Sequence, residues 1–155
     1  MESKRLVFKE ITEEDTDIIV EWRSDFDAYK YFLSPHKLTR EEHLDWYNNK
    51  YLFNNHRIDY IAIEKDNKVK IGVFGIIHDG DTVEVNYLVA KDERGKGYAF
   101  EAVEYLIKHA KRIWKIKTAR LEIQEKNIPS LSLAKKMHFE TAKREKGIIV
   151  LEKSV

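Results

Sequence analysis

The chain contains no cysteine, and only two prolines and six glycines in 155 residues. The missing cysteine excludes disulfides, thiolate nucleophiles and cysteine-held metals, and a reducing cytoplasm is the natural setting for such a chain. The scarcity of proline and glycine predicts regular elements joined by short turns. No apolar run approaches the roughly 18 residues of a membrane helix, and residues 1–20 carry no signal-peptide pattern. Neither a membrane partner nor export is therefore expected. Charge imbalance is missing too: 28 Lys plus Arg stand against 27 Asp plus Glu, a formal net charge of +1. Nothing in that balance recruits nucleic acid or an acidic surface. There is no internal repeat and no low-complexity tract. What remains is an ordinary globular composition, 43% hydrophobic and 35% charged, at a length that favours one domain over residues 1–155.

The elements can be read in order. Leu6-Val-Phe8 is a short strand. Thr12-Glu-Glu-Asp15 has the form of a capping box with Asp in place of Glu, and opens a helix to about Arg23 that carries Ile18, Ile19 and Trp22 on one face. Asp25 to Pro35 is irregular and aromatic. Thr39-Arg-Glu-Glu42 is a second capping box, opening a helix to about Lys50. Three strands follow, Ile58–Glu64, Val69–Ile77 and Val83–Val89, the last two joined by a turn at Asp79-Gly80. Gly97 to about Lys111 is helical, with an apolar stripe of Val103, Ile107, Ala110 and Trp114. Thr118–Gln124 is a strand, Asn127 and Pro129 start a short helix, and Phe139–Lys143 and Ile148–Glu152 are the last strands. The order predicts an α/β (α+β) fold on a mixed sheet, antiparallel early, with helices covering it later.

The passage from strand to helix at Val83–Ala102 is the most informative stretch. Its loop, Arg94-Gly-Lys-Gly97, presents N–H groups and the positive end of a helix to whatever sits above it, most naturally a pyrophosphate. Two nucleotide-binding patterns fail. A triphosphatase loop needs Ser or Thr after its lysine, and Lys96 is followed by Gly97; a dinucleotide fingerprint needs glycine where Phe100 stands. What remains is Arg94-x-x-Gly97-x-Ala99. Its glycines admit close backbone approach, and Arg94 and Lys96 can add charge-assisted contacts. A plain strand-to-helix turn is the alternative.

Val85-Asn-Tyr-Leu-Val-Ala-Lys-Asp-Glu-Arg-Gly-Lys-Gly-Tyr-Ala-Phe-Glu-Ala-Val103 resembles the acyl-CoA-binding motif of the GNAT superfamily of N-acetyltransferases, Q/R-x-x-G-x-G/A after a strand. Lys70-Ile-Gly-Val-Phe-Gly75 is similar to the family's third strand. Asn127-Ile-Pro-Ser130 with Lys136-Met-His-Phe139 is similar to its second block, N-x-x-S/A then K-x-G-F. The resemblance spans essentially the whole chain. It implies a mostly antiparallel seven-stranded sheet splayed at strands 4 and 5, flanked by about four helices. Residues 1–57 would form the acceptor side and residues 58–155 the acyl-CoA-binding core.

The resemblance further implies direct acetyl transfer from acetyl-CoA to an amine, without a metal. The chemistry asks for a base to free the amine, an N–H donor for the thioester oxygen, and a proton near a thiolate of pKa about 8.5. Leu88 and Val89 match the positions that hold the pantetheine arm. Arg94, Gly95, Lys96, Gly97, Tyr98 and Ala99 would hold the pyrophosphate, and Asn127 and Ser130 line the cofactor near the splay. Glu84 is the candidate base, sharing one strand face with Asn86 and Leu88; an exposed strand glutamate is its plain alternative. The family's usual tyrosine acid falls at Ala134, so Ser132, Ser130 or Tyr87 stand as substitutes. His138 occupies the place of a usual glycine.

The acceptor should be chosen by the N-terminal third. Trp22-Arg23 and the Thr39-Arg-Glu-Glu-His43-Leu-Asp-Trp46 stretch resemble two branches of the family: nucleotide-sugar N-acetyltransferases of the pseudaminic acid pathway, which modify a UDP-linked 4-amino sugar, and ribosomal-protein N-terminal acetyltransferases. Trp22 and Trp46 could stack on a base or sugar, while Arg23, Arg40 and His43 could meet a diphosphate. Core anchoring by the tryptophans and packing by His43 are the alternatives. A small-molecule amine is the expected partner, and homodimers are frequent in the family. A catalytically inactive CoA-binding module is the rival class, motivated by Ala134.

Overall fold

The computed structural model describes all 155 residues. Seven strands form one sheet: β1 (Leu6–Glu10), β2 (Arg57–Glu64), β3 (Lys70–Asp79), β4 (Thr82–Val89), β5 (Thr118–Gln124), β6 (Glu140–Glu145) and β7 (Ile148–Ser154). Their order is β1-β2-β3-β4-β5-β7-β6, antiparallel except where β4 meets β5. Five helices flank it: α1 (Thr16–Arg23), α2 (Phe26–Tyr29), α3 (Arg40–Asn49), α4 (Tyr98–Trp114) and α5 (Ile128–Lys136). The single-turn α2 lies in the segment expected to be irregular. Asp25 starts it by accepting from the Asp27 N–H at 3.2 Å.

The helix ends follow from local chemistry. The Thr12 N–H donates to the Asp15 carboxylate at 2.8 Å ahead of α1, and Thr39 Oγ1 accepts from the Glu42 N–H at 3.2 Å to start α3. Asn127 caps α5, which has Pro129 in its first turn. His138, just past α5, takes φ 67°. That left-handed C-terminal position is one glycine fills most easily, and it gives a backbone reason for the family's usual residue there.

Side-chain alternation divides the core across the sheet. On one face, Phe74, Ile76, Val83 and Val85 pack against Ala102, Val103, Leu106, Ile107 and Ala110 of α4. On the other, Ile61, Val73 and Leu88 pack beneath Ile19 of α1 and Tyr47 of α3. Each fully buried large side chain contributes about 1.5–3 kcal/mol. Glu84, Asn86 and Leu88 share the face under the N-terminal helices, as the period-2 reading expected.

The break in the sheet positions the site. β4 pairs with β5 only at Thr82↔Thr118, Val83↔Ala119 and Glu84↔Arg120. Beyond that, β4 keeps β3 up to Val89, and β5 keeps β7 up to Gln124. Each strand follows the twist of its own antiparallel partner, so the two half-sheets diverge. Glu84 is the last paired residue before the cleft.

Candidate active site

One wall of the cleft is the β4–α4 loop. Gly95 and Gly97 take φ 75° and 80°, which an L side chain resists. The N–H groups of Gly95, Lys96 and Gly97 enter no backbone hydrogen bond, and the first-turn N–H groups of α4 have no intrahelical partner. Gly95, Gly97, Tyr98 and Ala99 line a cavity of about 610 Å³ that runs on to Tyr87, Leu88, Val89, Asn127 and Ser130. The Ala90 N–H bonds Ile71 of β3, so by alternation the backbone groups of Tyr87 and Val89 face the splay. The donor-rich loop and this open strand edge suit a long ligand with an anionic end, and fit acyl-CoA.

The cations of the loop are already engaged. Arg94 Nε donates to the Val89 carbonyl at 3.0 Å, and its Nη2 lies 3.5 Å from Asp25. Lys96 Nζ lies 3.0 Å from Glu93. The loop is braced from behind by Arg5, whose Nη1 donates to the Lys96 carbonyl at 3.0 Å and whose guanidinium lies over the Tyr98 ring at 4.4 Å. Glu101 in turn holds Arg5 Nε at 2.7 Å. No signal in the sequence joins Arg5 to a loop some ninety residues away.

A second cavity, of about 280 Å³, opens on the other side of the cleft. Glu84, Asn86, Arg23 and Arg57 line it. It shares Phe32, Tyr87, Leu88, Asn127 and Ser130 with the first cavity, so the two meet there. Gln124 Nε2 donates to the Phe32 carbonyl at 2.6 Å and ties the segment after α2 across to β5. Burial raises the Glu84 carboxyl above the usual carboxylate range. Glu122 raises it further, against the opposing pull of Arg120 and Arg57. Tyr87 Oη donates to Ser130 Oγ at 3.2 Å, and burial raises its pKa as well.

Arg57 and Asn86, which line this cavity, adjoin a tightly packed polar cluster. Arg57 donates to both carboxylate oxygens of Asp59, at 2.9 and 3.0 Å, and lies 5.0 Å from the Trp46 ring centroid. A Cβ on Gly75 would stand 2.6 Å from oxygens of both Asp59 and Asn86, so glycine is required there. Arg23 has only the Phe32 ring, at 5.6 Å, as a side-chain partner. Burial lowers its pKa, with Asp59 opposing and Arg57 adding to the effect.

Of the residues singled out in the sequence, Glu84, Tyr87, Leu88, Asn127, Ser130 and Arg23 meet at the cleft, and the glycine loop borders it. Others lie elsewhere. Ser132 is exposed and lines only the larger cavity. Trp22 borders a separate hollow with Lys70 and Arg94 and packs on the second apolar cluster. His43 is 4% exposed and lines neither cavity, and the Trp46 ring packs at a tilt against Tyr51, centroids 5.1 Å apart. Arg40 lies 3.6 Å from Asp17. Ala134 is fully buried, so the family's tyrosine position is a packing position here. The sequence reading missed Arg57 and Asp59, took Phe32 only as part of an aromatic stretch, and gave Gly75 no role beyond the third strand. The opposite charges of Arg57 and Asp59, two apart on one strand face, were a usable signal.

Comparison with known proteins agrees with this geometry. The acetyltransferase (GNAT) domain family matches residues 5–140. A domain from Methanocaldococcus jannaschii superposes with a TM-score of 0.86 at 26% identity, over 99% of this chain and all of that one. The spermidine N-acetyltransferase of Vibrio cholerae, solved in complex with CoA and spermine, superposes at 0.82 with 16% identity, over 97% and 95% of the two chains. An uncharacterized protein of M. jannaschii is 27% identical over 148 residues, 92% of this chain; the chain spans 30% of that relative's length. A seven-stranded sheet parted at β4 and β5, with a donor-rich loop at one mouth, is the architecture that the acetyltransferase (GNAT) domain match accompanies here. The chain belongs to the GNAT family of acyl-CoA-dependent N-acetyltransferases.

Proposed function

We propose that this chain moves an acetyl group from acetyl-CoA to a primary amine, with Glu84 as the base. The observation that carries the proposal is the meeting of two cavities at the point where β4 leaves β5, with Glu84 in the smaller one. Acetyl-CoA, when bound, supplies an acetyl thioester. The Arg94–Ala99 loop would hold its pyrophosphate, and the open edge at Tyr87 and Val89 its pantetheine arm. Glu84, with its raised pKa, accepts a proton from the acceptor ammonium and leaves a nucleophilic amine. The free N–H groups on the open edge of β4 supply oxyanion donors. Tyr87 Oη, fixed by Ser130, holds a proton at the junction for the departing sulfur.

Two acceptors are carried forward: a UDP-linked 4-amino sugar, which we favour, and a protein N-terminus. Support for the former rests on Arg23 and Phe32 in the smaller cavity, and the tryptophans add nothing to it. Glu84→Gln is expected to lower turnover at least ~100-fold while acetyl-CoA still binds by calorimetry. Unchanged turnover would remove Glu84 from the mechanism, and no acetyl-CoA binding at millimolar concentration would end the proposal. Better turnover of N-terminal peptides than of the amino sugar would select the protein-acetylating alternative. Binding without transfer to any amine would select the inactive module.

A further inference from the structure

The smaller cavity is lined by charges of both signs. Glu84 and Glu122 both line it, and the Glu122 carboxylate hinders the ionisation of Glu84. Arg23 lines it too. The acid whose field Arg23 feels, Asp59, has both oxygens engaged by Arg57 and makes no hydrogen bond to Arg23. Arg57 lines the cavity as well, and both Glu84 and Arg23 feel its charge. His43 is close enough to feel Arg23, but burial and that positive field keep its imidazole neutral, so it does not answer the charge. Its buried Nε2 also has no partner within the fold. A guanidinium is planar, permanently charged and built for bidentate contact with an oxyanion. A partly desolvated one that lines a cavity and lacks an acid partner is a recognition element in want of its ligand.

We propose that the acceptor is a small amine that also carries an anionic group, a phosphate or a carboxylate, with the anion held by Arg23 and the amine delivered to Glu84. This rests on the acetyl-transfer reading and names its substrate class. The same polarity disfavours polyamines, because their second cationic centre would lie against Arg23 and Arg57.

The test uses pairs of amines that differ only in the anion: ethanolamine with O-phosphoethanolamine, propylamine with β-alanine, and glucosamine with glucosamine 6-phosphate. The UDP-linked 4-amino sugar and spermidine are assayed beside them. CoA release and acetylated product are measured with wild type, Arg23→Gln and Arg23→Lys. Wild type is expected to prefer the anionic member of at least one pair by about 10- to 100-fold in kcat/KM, the worth of a charge-assisted contact. The phosphate and carboxylate pairs show which oxyanion is read. In Arg23→Gln the preference falls towards parity while the acetyl-CoA KM holds, and Arg23→Lys keeps part of it. Parity in wild type, equal losses for both members of a pair in Arg23→Gln, or faster turnover of spermidine or N-terminal peptides would overturn the proposal. If acetyl-CoA binds but no amine is acetylated, the transfer reading fails by itself. The anion site is then decided by titrating CoA-loaded protein with O-phosphoethanolamine and glucosamine 6-phosphate: binding lost in Arg23→Gln supports it, and no binding to wild type overturns it.

Discussion

Gly75→Ala tests the tight packing of Gly75 against Asp59 and Asn86 beside the proposed acceptor cavity. The new Cβ would stand 2.6 Å from Asn86 Oδ1, 2.6 Å from Asp59 Oδ1 and 3.3 Å from Asp59 Cγ. The two neighbours differ in what they can yield. The Asn86 side chain has no protein partner and can swing into the cavity it lines. Asp59 is 2% exposed, both its oxygens receive Arg57, its N–H donates to Tyr51 Oη at 3.0 Å, and it is in register with Gly75 itself. Relief must therefore come from displacing Asp59 or from spreading β2 and β3. Overpacking costs about 1–3 kcal/mol, and full rupture of a buried ion pair about 3–5 kcal/mol. Partial displacement sets the expected loss near 2 kcal/mol. With a urea slope of about 2 kcal/mol per molar, the unfolding midpoint falls by about 1 M. Because Arg57 moves with Asp59, the acceptor KM should rise while the acetyl-CoA KM stays put. Asn86→Ala in the same chain should not restore stability. A stability change under about 0.5 kcal/mol, the scale of an ordinary surface substitution, with an unmoved acceptor KM would refute the reasoning.

Two further outcomes follow from the cleft and from α5. A Glu84 that serves as the proposed base must be ionised, so activity is expected above its pKa and is lost as the pH falls through it; Glu122 raises that pKa. Glu122→Gln should therefore move the acidic limb of kcat/KM to lower pH, and a limb that stays put or moves up would show that Glu84 is not the titrating base. At His138, with φ 67°, replacement by glycine relieves about 1–2 kcal/mol of left-handed strain and costs about 0.5–1 kcal/mol of chain entropy. A rise in Tm of about 2–3 °C is expected, and a fall would mean that the imidazole makes a contact worth more than the strain.

Local and periodic features were legible in the chain itself. The strand–loop–helix passage through Gly97, the Asn127 cap, the apolar stripe of α4 and the shared face of Glu84, Asn86 and Leu88 all rest on interactions within a few residues. Strand ends drifted by at most two residues, and α2 was missed, because a four-residue helix capped by Asp25 gives too short a period to detect. Assignment of the acceptor side was weakest for the same reason: tryptophan and histidine on an amphipathic helix carry the same pattern whether they face a ligand or the core. Only the packed structure turned Trp22 and Trp46 towards other side chains, buried His43, and left Arg23 in the cavity. The Arg57–Asp59 pair is local to β2, but only the packed structure set Arg23 beside it with no acid of its own. By itself the sequence determined the glycine-loop backbone proposed to receive a pyrophosphate, because that chemistry lies within one loop. The charge presented to an acceptor was decided by β2, β3, β4 and the N-terminal helices meeting in space, where pairing between distant residues settles which charge is satisfied and which is left for a ligand.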